Sequence, residues 1–313
     1  MQKPDIEGFR RWLAENKDMR LRSKLMSEAE AVRRFVRDKD YIGFELYGTV
    51  RCPLSIAREV VRQGKKGLRL VGQGLMDVDY LLAAGLVKAM DITYVGYESY
   101  GISPILRRAA DRGLELVEWS NAAIAWRMKA AAMGLPFLPT RSMLGSDTLK
   151  YSAAKTMRDP FSGMKLVLLP ALILDCGIIH VHRADPCGNC QIDGIAGFAL
   201  EMARASKRLI ISAEEIIETE EIRRHPERTV IPFYLVDAVV RAPFASHPGE
   251  TCYLYRRDEP HIQAYLKAAQ TEEGTKRYLD QYIYGVGGHD EYLNLIGRER
   301  LAALVESRFS SAA

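Results

Sequence analysis

The residues whose types and spacing could do chemistry are concentrated in a few short stretches. Cys187-Gly188-Asn189-Cys190 has CxxC spacing, which can be a redox pair or half of a zinc site. The rest of the chain completes neither. No second CxxC exists, and Asp185-Pro186-Cys187-Gly188-Asn189 has the composition of a β-turn between strands, so a structural turn is favoured. His180-Val181-His182 alternates as on a strand, so both imidazoles face one side and could bind metal or relay protons. No acidic residue is convincingly placed to complete such a site, and a hydrogen-bonded pair on a sheet face is the favoured reading. The run Glu214-Glu215, Glu218, Glu220 and Glu221, followed by Arg223 and Arg224, reads as a solvated helix with i to i+3 or i+4 ion pairs.

Glycine-containing loops carry more weight, because several follow a strand-like run. Gly43-Phe44-Glu45-Leu46-Tyr47-Gly48 would let backbone N–H groups approach a ligand, and helix N-termini beside such loops favour phosphate or a developing oxyanion. Gly72-Gln73-Gly74 is a second loop of this kind. Glu98, read as closing a strand before Ser99 and Gly101, is the one carboxylate of the first half that this layout sets beside the loops. Position alone leaves it open between a catalytic, a ligand-orienting and a structural role. No G-x-G-x-x-G occurs at the first strand and no G-x-x-x-x-G-K-[ST] occurs anywhere, so the usual dinucleotide and triphosphate fingerprints are missing. A small-molecule site of another kind is implied.

The elements that must position these residues show start and stop signals. Ser27-Glu28-Ala29-Glu30 is an S-x-x-E capping box, with Ala31, Val32, Phe35 and Val36 at helical spacing behind it. Tyr41 to Phe44 reads as a short strand, Pro53 to Val61 as a helix, and Leu68 to Val71 as a buried strand. A helix from Val78 to Ala84 and a strand from Asp91 to Tyr97 follow. Lys165 to Leu169, Cys176 to Val181 and Arg208 to Ser212 are near-continuous apolar strands, and Gly197 to Ala205 is helical. Gly285-Val286-Gly287-Gly288 leads into a last helix through Val305. The repeated β-loop-α unit predicts an α/β fold, an open and mostly parallel sheet with flanking helices. In such sheets ligands bind at the loops on the strands' carboxyl ends.

Composition removes whole classes. A chain of 313 residues with 48% hydrophobic and 27% charged residues can build a buried core without disulfide or metal staples. The net charge of +4 is too small to argue for nucleic acid, and residues 1 to 39, with 11 Lys and Arg against 7 Asp and Glu, hold the whole excess. The longest apolar run, Leu166 to Ile179, is interrupted by Pro170, Asp175 and Gly177 and falls short of the roughly 20 residues a membrane helix requires. No membrane partner is expected. The charged N-terminus lacks the apolar segment of a signal peptide, and five scattered Cys, an odd number, point to a reducing compartment. The cytoplasm is the expected location.

Read together, several segments resemble the A-type chains of the family I CoA-transferases, of the glutaconate CoA-transferase kind, from about Met26 to Leu304. The most specific are Leu135-Pro136-Phe137-Leu138-Pro139 with Gly145-Ser146, Gly177-Ile178-Ile179-His180, and Glu214-Glu215-Ile216-Ile217 with Glu220 to Arg224. Val236-Asp237-Ala238-Val239-Val240 with Ala242-Pro243, His247-Pro248, and His289-Asp290-Glu291-Tyr292-Leu293-Asn294 complete the match. The resemblance implies one CoA-transferase domain over residues 26–313, an N-terminal extension over residues 1–25 without counterpart, and an active site shared with a B-type partner chain. Family members move CoA between acyl-CoA and a short acid, here expected to be dicarboxylic, through a glutamyl-CoA thioester. Coenzyme A is then a substrate, and no metal or tightly bound cofactor is implied. The reacting glutamate belongs to the B-type chain, in a turn after its second strand. The equivalent turn here, Gly72-Gln73-Gly74-Leu75-Met76-Asp77, has glycine in its place.

The same resemblance assigns Gly43, Phe44 and Gly48 to a loop of backbone donors for the acyl oxygen. It makes Gly72, Gln73, Gly74, Glu98, Ser99, Ser120, Asn121, Gly145 and Ser146 candidates for lining the acyl and CoA pocket. Ile42 stands where the family's first loop usually has glycine. A sister group of ring-opening hydrolases, acting on cyclic acyl-CoA thioesters, uses an acidic residue in the stretch corresponding to Ser120 to Asn121. Asn121 is an amide, which favours transferase over hydrolase. A CoA-ester binding protein without catalysis is the remaining alternative.

Overall fold

The computed structural model describes residues 4–45, 48–72, 76–97 and 100–305. The first half runs α1 (Ile6–Asn16), α2 (Glu28–Phe35), β1 (Tyr41–Glu45), α3 (Leu54–Arg62), β2 (Leu68–Gly72), α4 (Met76–Ala83), β3 (Val87–Ile92), α5 (Pro104–Asp111), β4 (Glu115–Glu118) and α6 (Asn121–Ala132). An insertion follows with β5 (Phe137–Thr140), α7 (Thr148–Tyr151), β6 (Lys155–Arg158) and β7 (Lys165–Pro170). The second half runs β8 (Leu174–Ala184), β9 (Cys190–Gln191), α8 (Ala199–Arg204), β10 (Ser206–Ile216), α9 (Thr219–Arg224), β11 (Thr229–Ile231) and β12 (Ala238–Arg241). Helices α10 (Glu259–Ala269), α11 (Glu272–Leu279), α12 (His289–Ile296) and α13 (Arg298–Leu304) close the described chain. Among the described residues no helix is long and apolar enough to cross a membrane.

Among the described residues the main sheet has nine strands, and its parallel order is β4-β3-β2-β1-β8-β10-β12. β9 and β11 extend the end of β8 by antiparallel pairing. The chain therefore builds outward from β1 to one edge and, after the insertion, from β8 to the other. The strand order reverses between β1 and β8, the position where open α/β sheets form their ligand crevice.

Both faces of the sheet are largely buried, which is why β2 and β8 read as mostly apolar rather than alternating, with Arg69 and His180 among the exceptions. On one face Ile42, Phe44, Leu70, Ile178 and Ile210 join the apolar sides of α2 to α5, α10 and α11. On the other, Val71, Ile179, Val181, Leu209 and Ile211 pack against α6, α8 and the insertion. The expected strand at Lys165 to Leu169 exists as β7 but joins β5 and β6 in a separate antiparallel sheet. Val167 and Leu169 are buried against the second core, so the apolar run is explained without a place in the main sheet.

The segment before α2 is anchored rather than loose. Lys17 Nζ reaches Asp237 Oδ2 at 2.6 Å and the Lys207 carbonyl at 3.0 Å, and Lys24 Nζ reaches the Phe233 carbonyl at 2.7 Å. The Met26 N–H donates to the Val239 carbonyl at 2.9 Å, so residues 24–26 cover the open edge of β12.

Candidate functional site

The reversal point is built from the end of β1. Glu45, its last residue, is fully buried and meets the Arg51 guanidinium at 2.8 Å. Arg51 is 1% exposed and also donates to the carbonyls of His180, Ile195 and Ala196. Burial pushes the Glu45 carboxyl up to about 7, against the opposing pull of Arg51. The Arg51 backbone is left-handed, with φ 50°, a conformation costly for a residue with a side chain. Its N–H donates to the Glu250 carbonyl at 2.7 Å, and the Glu250 N–H donates to the Thr49 carbonyl at 2.8 Å.

Gly249 makes that second pairing possible. A Cβ there would stand 2.2 Å from the Thr49 carbonyl oxygen and 2.8 Å from that of Ser246, both backbone atoms with little freedom to move. Gly249→Ala is therefore expected to displace residues 48–51 and lower the unfolding free energy by about 1–3 kcal/mol. Urea denaturation measures this, and a midpoint equal to that of the unmodified chain would show that the contact yields.

Beyond Arg51, β8 and β10 carry polar residues on one face. His180 Nδ1 lies 2.9 Å from Ser212 Oγ, and Nε2 lies 2.8 Å from Glu214 Oε1. This is the connectivity of a hydrolase triad, but Ser212 and His180 are both wholly buried, so the hydroxyl cannot reach a substrate. Glu214 also accepts from the hydroxyls of Tyr255 at 2.6 Å and Thr251 at 3.2 Å, and from the Phe244 N–H at 2.7 Å. Burial pushes the Glu214 carboxyl up, but the bonds from His180, Tyr255 and Phe244 together outweigh burial and hold it below its ordinary value. The group anchors the 244–255 loop to the sheet.

Two expectations change here. The acidic run is not one solvated helix: β10 continues through Glu214 to Ile216, and α9 begins only at Thr219. For that reason His180 does have an acidic partner. His182, one alternation on, is buried with Nε2 2.9 Å from the Cys252 carbonyl, and its Nδ1 accepts from the Asp193 N–H at 3.2 Å. The CxxC segment forms the turn between β8 and β9, and burial drives the Cys190 thiol well above its ordinary pKa, away from a reactive thiolate.

Gly43 and Phe44 lie inside β1 and not in a loop. Gly43 pairs in register with Val71 and Gly177, and Phe44 points into the core. β1 ends at Glu45, and beyond it Gly48 has φ 69°, which suits glycine. Gly72 closes β2. Gln73, Gly74, Glu98 and Ser99 lie outside the described residues. β3 ends at Ile92, well before Glu98, because Gly85, with φ 69°, turns the chain from α4 directly into a strand beginning at Val87. Ser120 caps α6 by accepting from the Ala123 N–H at 3.1 Å, and its hydroxyl lies 3.1 Å from Ser142 Oγ. That contact brings the turn holding Gly145 and Ser146 to the carboxyl end of β4, where Asn121 opens α6 with an exposed side chain. The described candidates thus spread along the strand ends from β1 to β4, about 14 Å at the usual strand spacing.

Glu45, Arg51 and Glu118 were not singled out by residue type and spacing. Glu118 ends β4 with an exposed carboxylate. A carboxylate closing a buried strand, with an arginine beyond the following glycine loop, is the signal that would have marked Glu45.

An open sheet with its reversal at β1 and β8 and polar groups gathered at the strand ends defines an α/β protein whose candidate site lies along that rim. The chain belongs to the coenzyme A transferase family, whose model matches residues 25–242. It is 34% identical to the A-type chain of glutaconate CoA-transferase from Acidaminococcus fermentans, over 90% of this chain and 94% of that protein. It is 49% identical to an uncharacterised protein of Archaeoglobus fulgidus, over 94% of this chain but 66% of that protein's length. The crystal structure of glutaconate CoA-transferase from Acidaminococcus fermentans matches with a TM-score of 0.88 at 33% identity, covering 91% of this chain and 96% of that one.

Proposed function

We propose that this protein is the A-type chain of a CoA-transferase that moves CoA between an acyl-CoA and a short, dicarboxylic acid, with the glutamyl-CoA thioester formed on a B-type partner. The observation that carries the reading is the likeness to the A-type chain of glutaconate CoA-transferase over nearly the full length of both proteins. The distribution of carboxylates supports the division of labour. Among the carboxyl-terminal residues of the described parallel strands, Glu45 is buried against Arg51 and only Glu118 presents an exposed carboxylate. The sequence following β2 has glycine where a nucleophile would stand. This chain's share is then to supply backbone donors near Gly48 and to line an extended acyl and CoA path toward Ser120, Asn121, Gly145 and Ser146. A rim of about 14 Å suits a long thioester better than a compact metabolite.

Thioester trapping tests this. The chain, with and without a B-type partner chain, is incubated with glutaryl-CoA and then borohydride, and the modified residue is mapped. Modification is expected only in the mixture and only on the partner. Labelling of Glu98 or Glu118 in the isolated chain would overturn the assignment. Water-dependent CoA release without an acceptor acid would instead make the pair a hydrolase.

A further inference from the structure

We propose that Glu45 and Arg51 form a positioning pair that locks residues 48–52 across the carboxyl end of β1 and the middle of β8, where the strand order reverses. Three observations carry this. The Arg51 fork reaches Glu45 on one strand and the His180 carbonyl on the next, and also touches the carbonyls of Ile195 and Ala196 in the approach to α8. A single side chain therefore ties together three separate parts of the rim. The Arg51 backbone is held left-handed while its N–H pairs with Glu250, so both its side chain and its main chain are fixed. Such strain persists only where surrounding contacts over-determine it.

Energetics separate this role from simple stabilisation. A buried ion pair recovers its desolvation cost only with excellent geometry, and apolar residues of similar volume often stabilise a fold as well or better. Glu45 and Arg51 are also too deeply buried, at 0% and 1% exposed, to touch a substrate, so they act through the backbone they hold. The charged and titratable groups facing the pair are Glu201 of α8 and His180 and His182 of β8. Neither histidine is placed to substitute for a partner, since His180 and His182 are engaged elsewhere through their rings.

The experiment uses the full chain and the variants Glu45→Gln and Arg51→Lys. Glu45→Gln keeps the shape and removes the charge; Arg51→Lys keeps the charge and removes the fork. Hydrogen exchange is followed at the backbone amides of positions 51 and 250, with Ile178 and Ile210 as core references. Exchange at the two loop amides is expected to speed up at least about 10-fold in both variants while the references stay fixed. Unchanged exchange at positions 51 and 250 would overturn the proposal, as would equal acceleration throughout the sheet.

A second arm rests on the transferase reading. In single turnovers with a B-type partner chain and glutaryl-CoA, the rate of thioester formation is expected to fall about 100-fold, the effect of roughly an ångström of misplacement, with its final amount unchanged. A reduced amount at an unchanged rate would mark a folding role and overturn the proposal. If the unmodified pair forms no thioester, the transferase reading fails, while the exchange arm still decides the positioning pair.

Discussion

Asp91→Ala is expected to lower the unfolding free energy by about 3–5 kcal/mol at neutral pH, the usual cost of removing one partner from a buried ion pair. Asp91 lies within β3, wholly buried, and accepts from Trp119 Nε1 at 2.7 Å, Arg127 Nη1 at 2.8 Å, Arg69 Nε at 2.9 Å and the Tyr41 hydroxyl at 2.5 Å. Arg127 is 1% exposed, with its guanidinium 3.9 Å from the Trp119 ring centroid, so water cannot readily replace the lost carboxylate. Burial pushes the Asp91 carboxyl up, but Arg127, Tyr41, Arg69 and Trp119 together hold it below its ordinary value of 3.8.

The pH dependence follows from that direction. A carboxyl depressed in the folded state adds stability that is complete above its unfolded pKa and is lost as pH falls through its folded pKa. The gap between the native chain and Asp91→Ala should therefore be widest near neutrality and narrow below 3.8. Urea titrations at several pH values check this. A gap under about 1 kcal/mol at neutral pH, or one that widens in acid, would remove Asp91 from its place at the centre of the network.

Asp91 also shows why some of the architecture was legible in the sequence and some was not. Leu68 to Val71 and Cys176 to Val181 were readable because strands buried on both faces are mostly apolar, and β2 and β8 contain those segments. A buried aspartate breaks that rule. Its donors come from Tyr41, Arg69, Trp119 and Arg127 on four separate segments, so no local pattern announces it, and the expected strand starts at Asp91 instead of ending at Ile92. Glu214 misled in the same way. Its neighbours at Glu218, Glu220 and Glu221 have helical spacing, whereas its partners Tyr255 and Phe244 lie far along the chain. The glycines near the end of β1 suggested a loop beginning at Gly43, but β1 continues to Glu45, because Gly43 serves close packing: a Cβ there would meet Leu174 at 2.8 Å and Met202 at 3.0 Å. The order reversal between β1 and β8, which gives Glu45 and Arg51 their position, is a property of strand pairing and has no residue signature.

Glu214→Ala is expected to cost about 3 kcal/mol, less than a simple total over its donors, because some of them can find one another. Buried donors left without an acceptor cost about 1–3 kcal/mol each. Tyr255 Oη and Thr251 Oγ1 already lie 2.8 Å apart, and Thr251 also reaches Ser246 Oγ at 3.3 Å, so these hydroxyls can turn toward each other. His180 Nε2, bonded to the same carboxylate oxygen as those hydroxyls, and the Phe244 N–H, bonded to the other, have no such alternative among the described residues. Glu214→Gln should recover part of the loss, since its carbonyl oxygen can still accept from one side while its amide opposes a donor on the other. The folded carboxyl is depressed from 4.5, so the native chain's advantage over both variants should be full above that pH and shrink below it. The two variants also separate stability from placement. The 244–255 loop carries Glu250, whose backbone holds Thr49 and Arg51, so loss of Glu214 should loosen the rim at residues 48–51 even at pH values where the chain remains folded. Urea midpoints for the three chains, paired with hydrogen exchange at Phe244 and Glu250, make the comparison. If Glu214→Ala unfolds at the native midpoint and leaves both amides protected, the hydrogen-bonded group around Glu214 does not anchor the loop.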